Sequence, residues 1–354
     1  MRNVGQSRVA RGKSSDSTSA LRSILSLTST RGLVLKLIAG LMTVGLLFAA
    51  TPFTVDAQQR SVTVGWLGSG SPVSARQEAF ERSLSERGFT PRLEIRFAQG
   101  KLERLPELAM DLVRLKPDLI LVADAVSTAA AKKATSAIPI VMAGASDPVG
   151  LGLVESLARP GGNLTGLSSP FGDEFTGKWI ELLRTVRPRA TRLAILYNPE
   201  IPAAGRRHEQ MQKAANSLGV QVVSLEVRRP EDFERVFHHY KRTDVAGLIV
   251  DNAPFIMAHA SKILDFATKG RIVTVWGHAS AVHAGGLVSY GADYSDIYRK
   301  AGVYAVKILN GANPANLPVE QPSKFELVIN MKTAKTLDLT VPPSLLIRAD
   351  HIIE

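Results

Sequence analysis

The chain has 354 residues, of which 45% are hydrophobic and 21% are charged, and it contains no cysteine. This composition is typical of globular proteins, and the length suffices for about two domains. Without cysteine the chain has no disulfide, no thiolate metal site, no cysteine nucleophile and no N-terminal lipidated cysteine.

Nearly half of the formal net charge of +11 lies in the N-terminal segment. Residues 1–57 hold seven of the 43 basic residues and two of the 32 acidic ones, which leaves +6 for the remainder. The remaining charges are interspersed, and no basic run is longer than a pair such as Arg206-Arg207 or Arg228-Arg229. A protein that binds a phosphate backbone would cluster its basic residues. We therefore expect no nucleic-acid partner.

The N-terminal segment has the three-part pattern of a secretory signal peptide. A basic stretch precedes the uncharged apolar run 37–50, and Val55 and Ala57 place small or compact residues before a cleavage site at Gln58. The apolar run is shorter than the roughly 20 residues that a membrane span needs. We expect a periplasmic protein; the alternative is an uncleaved N-terminal anchor, because the uncharged stretch extends to Val55.

Apolar, β-branched segments alternate with amphipathic ones along the rest of the chain. Strands are predicted at 62–67, 92–97, 118–123, 138–143, 191–197, 220–225, 245–250, 271–276 and 286–290. Helices are predicted at 74–87, 104–115, 173–186, 203–217, 231–241, 256–268 and 294–309. Nearly continuous apolar strands that alternate with helices indicate βαβ units and parallel sheets. Nine strands favour two sheets, divided at the Gly/Pro/Ser-rich stretch 160–172.

Ligands of parallel α/β sheets bind beyond the carboxyl ends of the strands. The segments that follow the predicted strands are 68–72, 124–128, 144–148, 198–202, 251–255 and 277–283. Two lobes that present these edges to each other would form a cleft.

The first of these segments, Gly68 to Pro72, resembles a dinucleotide-binding loop but lacks the third glycine, because Val73 occupies that position. It can still hold a ligand or simply begin a helix. Asp147, which precedes a proline, is favoured as a turn or cap residue over a ligand contact. Asp251 can pair with a ligand ammonium group or form an Asx turn.

No pattern in the sequence indicates an enzyme or a cofactor. The seven histidines form neither H-E-x-x-H nor an i, i+4 pair, so we expect no metal site. The chain contains no G-x-S-x-G and no P-loop motif.

Longer stretches of the chain are similar to a known family. They are GWLGSGSP (65–72), residues 138–168, ELLRTVRP (181–188), AILYNPEIPAA (194–204), GGLVSYGADYSDIYRKAG (285–302) and, most specifically, residues 308–350. On these residues, 61–353 resembles the tryptophan/tyrosine-type substrate-binding family of ABC transporters.

The resemblance implies a type I periplasmic-binding-protein fold, with two Rossmann-like α/β lobes joined by a three-crossing hinge. The crossings are expected near 166–171, 287–292 and 317–323. Residues 58–168 and 291–318 would form the first lobe. Residues 169–290 and 319–354 would form the second.

The resemblance also implies hinge closure around a small amino-acid-like ligand, which is aromatic in the better understood members, and delivery to an ABC permease and its ATPase subunits. The chain would be a monomer without catalysis of its own. The alternatives are a secreted sensor of the same fold and an α/β enzyme. The positions expected to bind ligand are Ser69, Gly70, Ser71, Ser127, Thr128, Ala145, Ser146, Asn198, Asp251, Asn252 and His278.

Overall fold

The structure, a computed structural model, describes residues 59–169, 173–241 and 244–354. The predicted signal peptide at 1–57 and its cleavage site lie outside these residues, as do the last two residues of the first predicted crossing. These assignments therefore stay predictions. No helix within the described ranges is long and apolar enough to cross a membrane.

The first lobe is built on a five-stranded parallel sheet with the order β2-β1-β3-β4-β5. Its strands are β1 (Arg60–Gly68), β2 (Phe89–Phe97), β3 (Leu119–Val122), β4 (Ile140–Ser146) and β5 (Leu164–Ser169). The helices between them are α1 (Ser74–Ser85), α2 (Leu105–Arg114) and α3 (Ala125–Ala134). Every residue of β3 is buried, as expected for a strand covered on both faces.

The second lobe is built on a seven-stranded sheet with the order β12-β11-β10-β9-β8-β6-β7. Its strands are β6 (Arg192–Tyr197), β7 (Gln221–Glu226), β8 (Leu248–Val250), β9 (Thr274–Trp276), β10 (Val288–Ala292), β11 (Phe325–Asn330) and β12 (His351–Ile353). The helices before β10 are α4 (Asp173–Val186), α5 (Pro202–Ser217), α6 (Asp232–Lys241), α7 (Pro254–Ala258), α8 (Ala260–Gly270) and α9 (Ala279–His283). The pair β10–β11 is antiparallel and the other pairs are parallel.

Three further helices follow β10: α10 (Tyr294–Leu309), α11 (Met331–Thr336) and α12 (Pro343–Leu346). Helix α10 packs on the first lobe against α1, where Gly302 permits close approach. A Cβ atom at Gly302 would lie 2.5 Å from Cβ of Ser83. Apolar side chains cover both faces of each sheet and form two clusters per lobe. The fold class predicted from the sequence, α/β with two mainly parallel sheets, is confirmed.

The chain passes between the two sheets three times: from β5 to α4, from β10 to α10, and before β11. The first and third passages lie side by side. The amide of Ser168 donates to the carbonyl of Glu320 at 2.9 Å, and the amide of Glu320 donates to the carbonyl of Gly166 at 3.0 Å. The lobe boundaries given above stay predictions.

Local structure differs from the sequence prediction in several places. The strands β11 and β12 and the short helices α9, α11 and α12 were not predicted. Residues 164–169, assigned to the break between the lobes, form the buried strand β5, because pairing with β4 outweighs the weak strand propensity of LTGLSS. Residues 125–134 form an unpredicted helix, begun by a capping box between Asp124 and Ser127. The predicted helix 256–268 is divided at His259, where the backbone leaves helical geometry (ψ 17°).

Candidate functional site

A cavity of about 330 Å³ lies between the two lobes, beyond the carboxyl ends of their strands. Both lobes contribute to its wall. Its first-lobe residues are Gly70, Ser71, Val73, Arg76, Phe97, Ala123, Asp124, Ala125, Val126, Gly144, Ser146 and Tyr294. Its second-lobe residues are Ile201, Arg207, Asn252, Ala253, Pro254, Met257, Ala258, His278 and Ser280. The wall therefore combines charged groups from both lobes with apolar side chains.

Asp124 is the anionic residue of the first-lobe wall. Its Oδ2 accepts hydrogen bonds from the amide and the hydroxyl of Ser69 at 3.0 and 2.8 Å. Its Oδ1 accepts from the amide of Ser127 at 2.9 Å. The hydroxyls of Ser127 and Thr128 donate to the carbonyl of Asp124 at 3.0 and 2.6 Å. The hydroxyls of these three buried residues therefore position Asp124, and none of the three residues lies on the cavity wall.

The other predicted first-lobe positions divide between the wall and the core. Gly70, Ser71 and Ser146 line the cavity, whereas Ala145 is fully buried in the core. The hydroxyl of Ser146 is hydrogen-bonded to that of Ser169 at 2.6 Å.

Asp147 forms a turn, as the sequence analysis favours. Its Oδ1 accepts from the amide of Gly150 at 3.0 Å. Its φ of 47° is left-handed, a conformation that aspartate tolerates.

A buried ion pair forms the second-lobe side of the site. Arg207, 4% exposed, donates from Nε to Oδ2 of Asp251 at 2.7 Å and from Nη2 to Oδ1 at 3.0 Å. Oδ1 of Asp251 also accepts from the amide of Ala253, which closes an Asx turn. Burial alone would lower the pKa of Arg207, but the Asp251 carboxylate outweighs burial and raises it. Asp251 itself lies behind the wall, and Arg207 presents the charge to the cavity.

The two asparagines predicted to bind ligand in this lobe differ in position: one lines the cavity and the other is buried away from it. Asn252 lines the cavity. Asn198, 3% exposed, lies off the wall and accepts a hydrogen bond from the amide of Glu200 at 2.9 Å through its side-chain oxygen.

His278 connects the lobes. Its Nε2 is hydrogen-bonded to Nη2 of Arg76 on α1, its Nδ1 lies 3.1 Å from the hydroxyl of Ser280, and its ring stacks on Tyr294 at 4.5 Å. The guanidinium of Arg76 lies 4.6 Å from the centre of the Tyr294 ring, at cation–π distance. Burial, and then the positive charge of Arg76, lower the pKa of His278 well below its usual value. The imidazole is therefore neutral at pH 7 and accepts the Arg76 hydrogen bond.

Five of the eleven predicted positions thus line the cavity: Gly70, Ser71, Ser146, Asn252 and His278. Sequence reasoning missed four residues of the wall, which are Arg76, Asp124, Arg207 and Tyr294. Arg207 stands near the start of the helix after β6, at the edge where Asp251 ends β8, so this acid and base could have been paired from the topology. Among the described residues no group of three or more histidine or acidic side chains could hold a metal ion.

Comparison with known proteins shows which protein family the chain belongs to. Residues 62–353 match the family model of ABC transporter substrate binding proteins, and the chain belongs to this family. It is 26% identical over 291 residues to the tyrosine-binding protein of Clostridioides difficile (strain R20291), covering 81% of this chain and 83% of that protein.

Solved structures support the same fold. A crystal structure of an ABC domain in complex with L-Trp from Streptococcus pneumonia is similar with a TM-score of 0.77 and 24% identity, over 83% of this chain and all of that one. A conserved domain protein from Vibrio cholerae gives a TM-score of 0.75 and 25% identity, over 82% of this chain and 99% of that one. The type I binding-protein fold and the family predicted from the sequence are confirmed.

Proposed function

We propose that this chain is the periplasmic solute-binding subunit of an ABC importer. It captures a small amino-acid-like solute between its lobes and delivers it to a permease, without chemical change. The observation that carries the proposal is the cavity of about 330 Å³ to which both lobes contribute charged groups, Arg76 and Asp124 from one and Arg207 from the other. A site divided in this way is complete only when the lobes are closed, so closure and binding are coupled.

The related proteins and the residues that line the cavity together indicate the chemical class of the solute. A curated relative is a tyrosine-binding protein, and one solved relative holds L-Trp. The cavity combines charged groups with apolar side chains such as Phe97, Ile201 and Met257, which would contact an aromatic or aliphatic side chain. An aromatic amino acid is the first candidate.

A thermal-shift panel of amino acids, aromatic acids, sugars and nucleosides with the full-length protein tests binding. A ligand that binds only the native state stabilises it by about 2.7 kcal/mol at a hundredfold excess over Kd. We expect one compound class to raise Tm by several degrees and to be recovered unchanged by mass spectrometry. A panel without any shift, with no small molecule co-purified from the native host, would contradict binding. Recovery of a converted product would favour an enzyme.

Two further measurements separate transport from sensing and test export. Uptake of the labelled ligand by host cells should fall when the gene is deleted; unchanged uptake would favour a secreted sensor. N-terminal sequencing of the protein from the periplasmic fraction should begin at Gln58. An intact N-terminus in the membrane fraction would favour the anchored form.

A further inference from the structure

Trp179, on helix α4, lies where strand β9 separates from strand β10. The pairing of these two strands ends at Trp276 and Ser289. Beyond this pair, Gly277 leads from β9 to the cavity wall, and Tyr290 leads along β10 to the second passage between the lobes. The indole Nε1 of Trp179 donates to the carbonyl of Tyr290 at 2.7 Å. The indole therefore binds β10 just beyond its last pair with β9.

Gly277 leaves room for this indole. A Cβ atom at Gly277 would lie 2.6 Å from Cζ2 and 3.0 Å from Cη2 of Trp179. It would also lie 2.9 Å from Cβ of Asn252, a residue of the cavity wall. Because carbon atoms that are not bonded prefer separations of about 3.5–4.0 Å, a side chain at Gly277 would displace these neighbours. The backbone of Gly277 therefore packs directly on the indole ring.

The second passage also touches Gly277. A Cβ atom at Gly291 would overlap the carbonyl oxygen of Gly277. Gly291 follows Tyr290, the residue whose carbonyl accepts the indole hydrogen bond. The side chain of Trp179 is fully buried and does not line the cavity. This one side chain thus contacts both the strand that enters the passage and the backbone behind the cavity wall.

His278 is the wall residue that this packing supports. Within the second lobe its ring contacts Ser280, whereas its contacts Arg76 and Tyr294 belong to the first lobe. The first-lobe contacts can orient the ring only after the lobes have closed. Before closure, the direction of the ring depends on the backbone that precedes it, which is Gly277.

We infer that Trp179 is a positioning residue: through Gly277 it holds His278 in the orientation that meets Arg76 when the lobes close. The inference rests on the proposed function, because it concerns closure around a bound solute. A group that is oriented before closure loses less conformational entropy when it forms its contact. Trp179 therefore raises ligand affinity without touching the ligand.

Isothermal titration calorimetry with the full-length protein tests this role. The probes are the twenty amino acids, D-glucose and adenosine, and the variants are compared on the probe that the wild-type protein binds most tightly. Trp179→Phe keeps an aromatic ring but removes Nε1 and the ring atoms that face Gly277. We expect its affinity to be at least about tenfold lower, the effect of losing a hydrogen bond to a charged group. A smaller loss would overturn the inference.

A second background separates positioning from general packing. In a His278→Ala protein the group to be positioned is absent. The factor in affinity that Trp179→Phe costs should therefore be at least about threefold smaller there than in the wild-type protein. A factor closer to the wild-type one would show that Trp179 acts by another route, and would overturn the inference.

Leu183, one turn further along α4, supplies the matched control. It is fully buried in the same apolar cluster as Trp179. It packs against Gly247 at the amino end of β8, which is the end away from the cavity. Leu183→Ala should lower Tm at least as much as Trp179→Phe and leave ligand affinity unchanged. Equal losses of affinity would show that any damage to this core weakens binding, and would overturn the inference.

Gly277→Ala tests the same contact from the other side, should Trp179→Phe not fold by circular dichroism. Its methyl group would press on the indole, so affinity should again fall at least about tenfold, and a smaller loss would overturn the inference. Wild-type protein that binds none of the probes would contradict the proposed function, and the inference with it. Wild-type binding that both variants retain would overturn the inference alone.

Discussion

Nη2 of Arg206 lies 2.6 Å from Oδ2 of Asp147, and this ion pair joins helix α5 of the second lobe to the turn that follows β4 in the first. It stands beside the cavity, and its partners are partly exposed, at 38% and 19%. Because an exposed pair of this kind contributes about 0–1 kcal/mol, it would bias the lobes toward closure without determining it.

Replacing Asp147 by Asn tests this contact between the lobes. Asparagine tolerates the left-handed backbone and can still accept the Gly150 hydrogen bond, so only the charge is lost. Ligand affinity by calorimetry should fall by up to about fivefold at low salt. The difference from wild type should shrink at 1 M NaCl, where screening weakens exposed pairs. Asp111→Asn is the control, and a loss of equal size at high salt would exclude an electrostatic role.

The neutral His278 makes ligand binding sensitive to pH. Its pKa is lowered in the closed state by burial and by Arg76, whereas separated lobes would return it toward about 6.5. The open state therefore takes up a proton more readily, so closure is fully favoured above about pH 6.5 and is weakened as pH falls below it. Ligand affinity should fall by up to about tenfold per pH unit between pH 6.5 and 5.

His278→Gln should remove this part of the pH dependence, since glutamine does not titrate in this range. His283, exposed at the end of α9, supplies the control His283→Gln. A wild-type affinity that stays constant from pH 7.5 to 5 would show that His278 keeps one protonation state in both conformations.

Asp251 compensates the buried charge of Arg207, and its removal should destabilise the second lobe. Asp251→Ala leaves a guanidinium that is 4% exposed without its counter-ion, which typically costs about 3–5 kcal/mol of the free energy of unfolding. Urea denaturation followed by circular dichroism measures the loss. Asp111→Ala, at an exposed pair, should cost about 1 kcal/mol or less. A loss that small for Asp251→Ala would mean that Arg207 becomes solvated when unpaired.

Gly144 allows Tyr294 to reach the cavity. Its φ is 106°, and a Cβ atom there would lie 3.1 Å from Cε1 of Tyr294. Gly144→Ala should therefore lower the free energy of unfolding by about 1–3 kcal/mol through backbone strain, and also weaken ligand binding by displacing the ring.

Gly152 separates these two effects. Its φ is 65°, but a Cβ atom there would meet nothing within 4 Å. Gly152→Ala should cost stability through backbone strain and leave ligand affinity unchanged. Equal losses of affinity in the Gly144 and Gly152 variants would show that backbone strain, and not the Tyr294 ring, is the cause.

Local sequence patterns were sufficient to predict most of the helices and strands. Helix 173–186 and helix 294–309 were predicted with the bounds that the structure has, because each combines helical periodicity with a clear start or stop. Strand β5 was missed, since LTGLSS with Gly166 at a φ of 127° carries no strand signal of its own. Its six residues are buried only because β4 and the segment near Glu320 pair with it.

The sequence predicted which edges of the two sheets form the candidate site, but not which side chains line it. The strand-end rule identified the loops that line the cavity, including those of Ser71, Asn252 and His278. It could not tell which hydroxyls line the cavity. The hydroxyl of Ser69 donates to the Asp124 carboxylate and that of Ser127 donates to the Asp124 backbone carbonyl, so neither lies on the cavity wall. It also overlooked Arg76 and Arg207, because both lie within helices beyond the loops.

The sequence by itself determined the fold class, the division into two sheets and the family, since these depend on periodicity along the chain and on long matching segments. Only the tertiary structure decided that Asp251 supports Arg207, that Asp124 is a cavity group and that His278 connects the lobes. Each of these contacts joins residues distant in sequence, such as Arg76 and His278, across two lobes. Such contacts depend on how the lobes close, which no local pattern encodes.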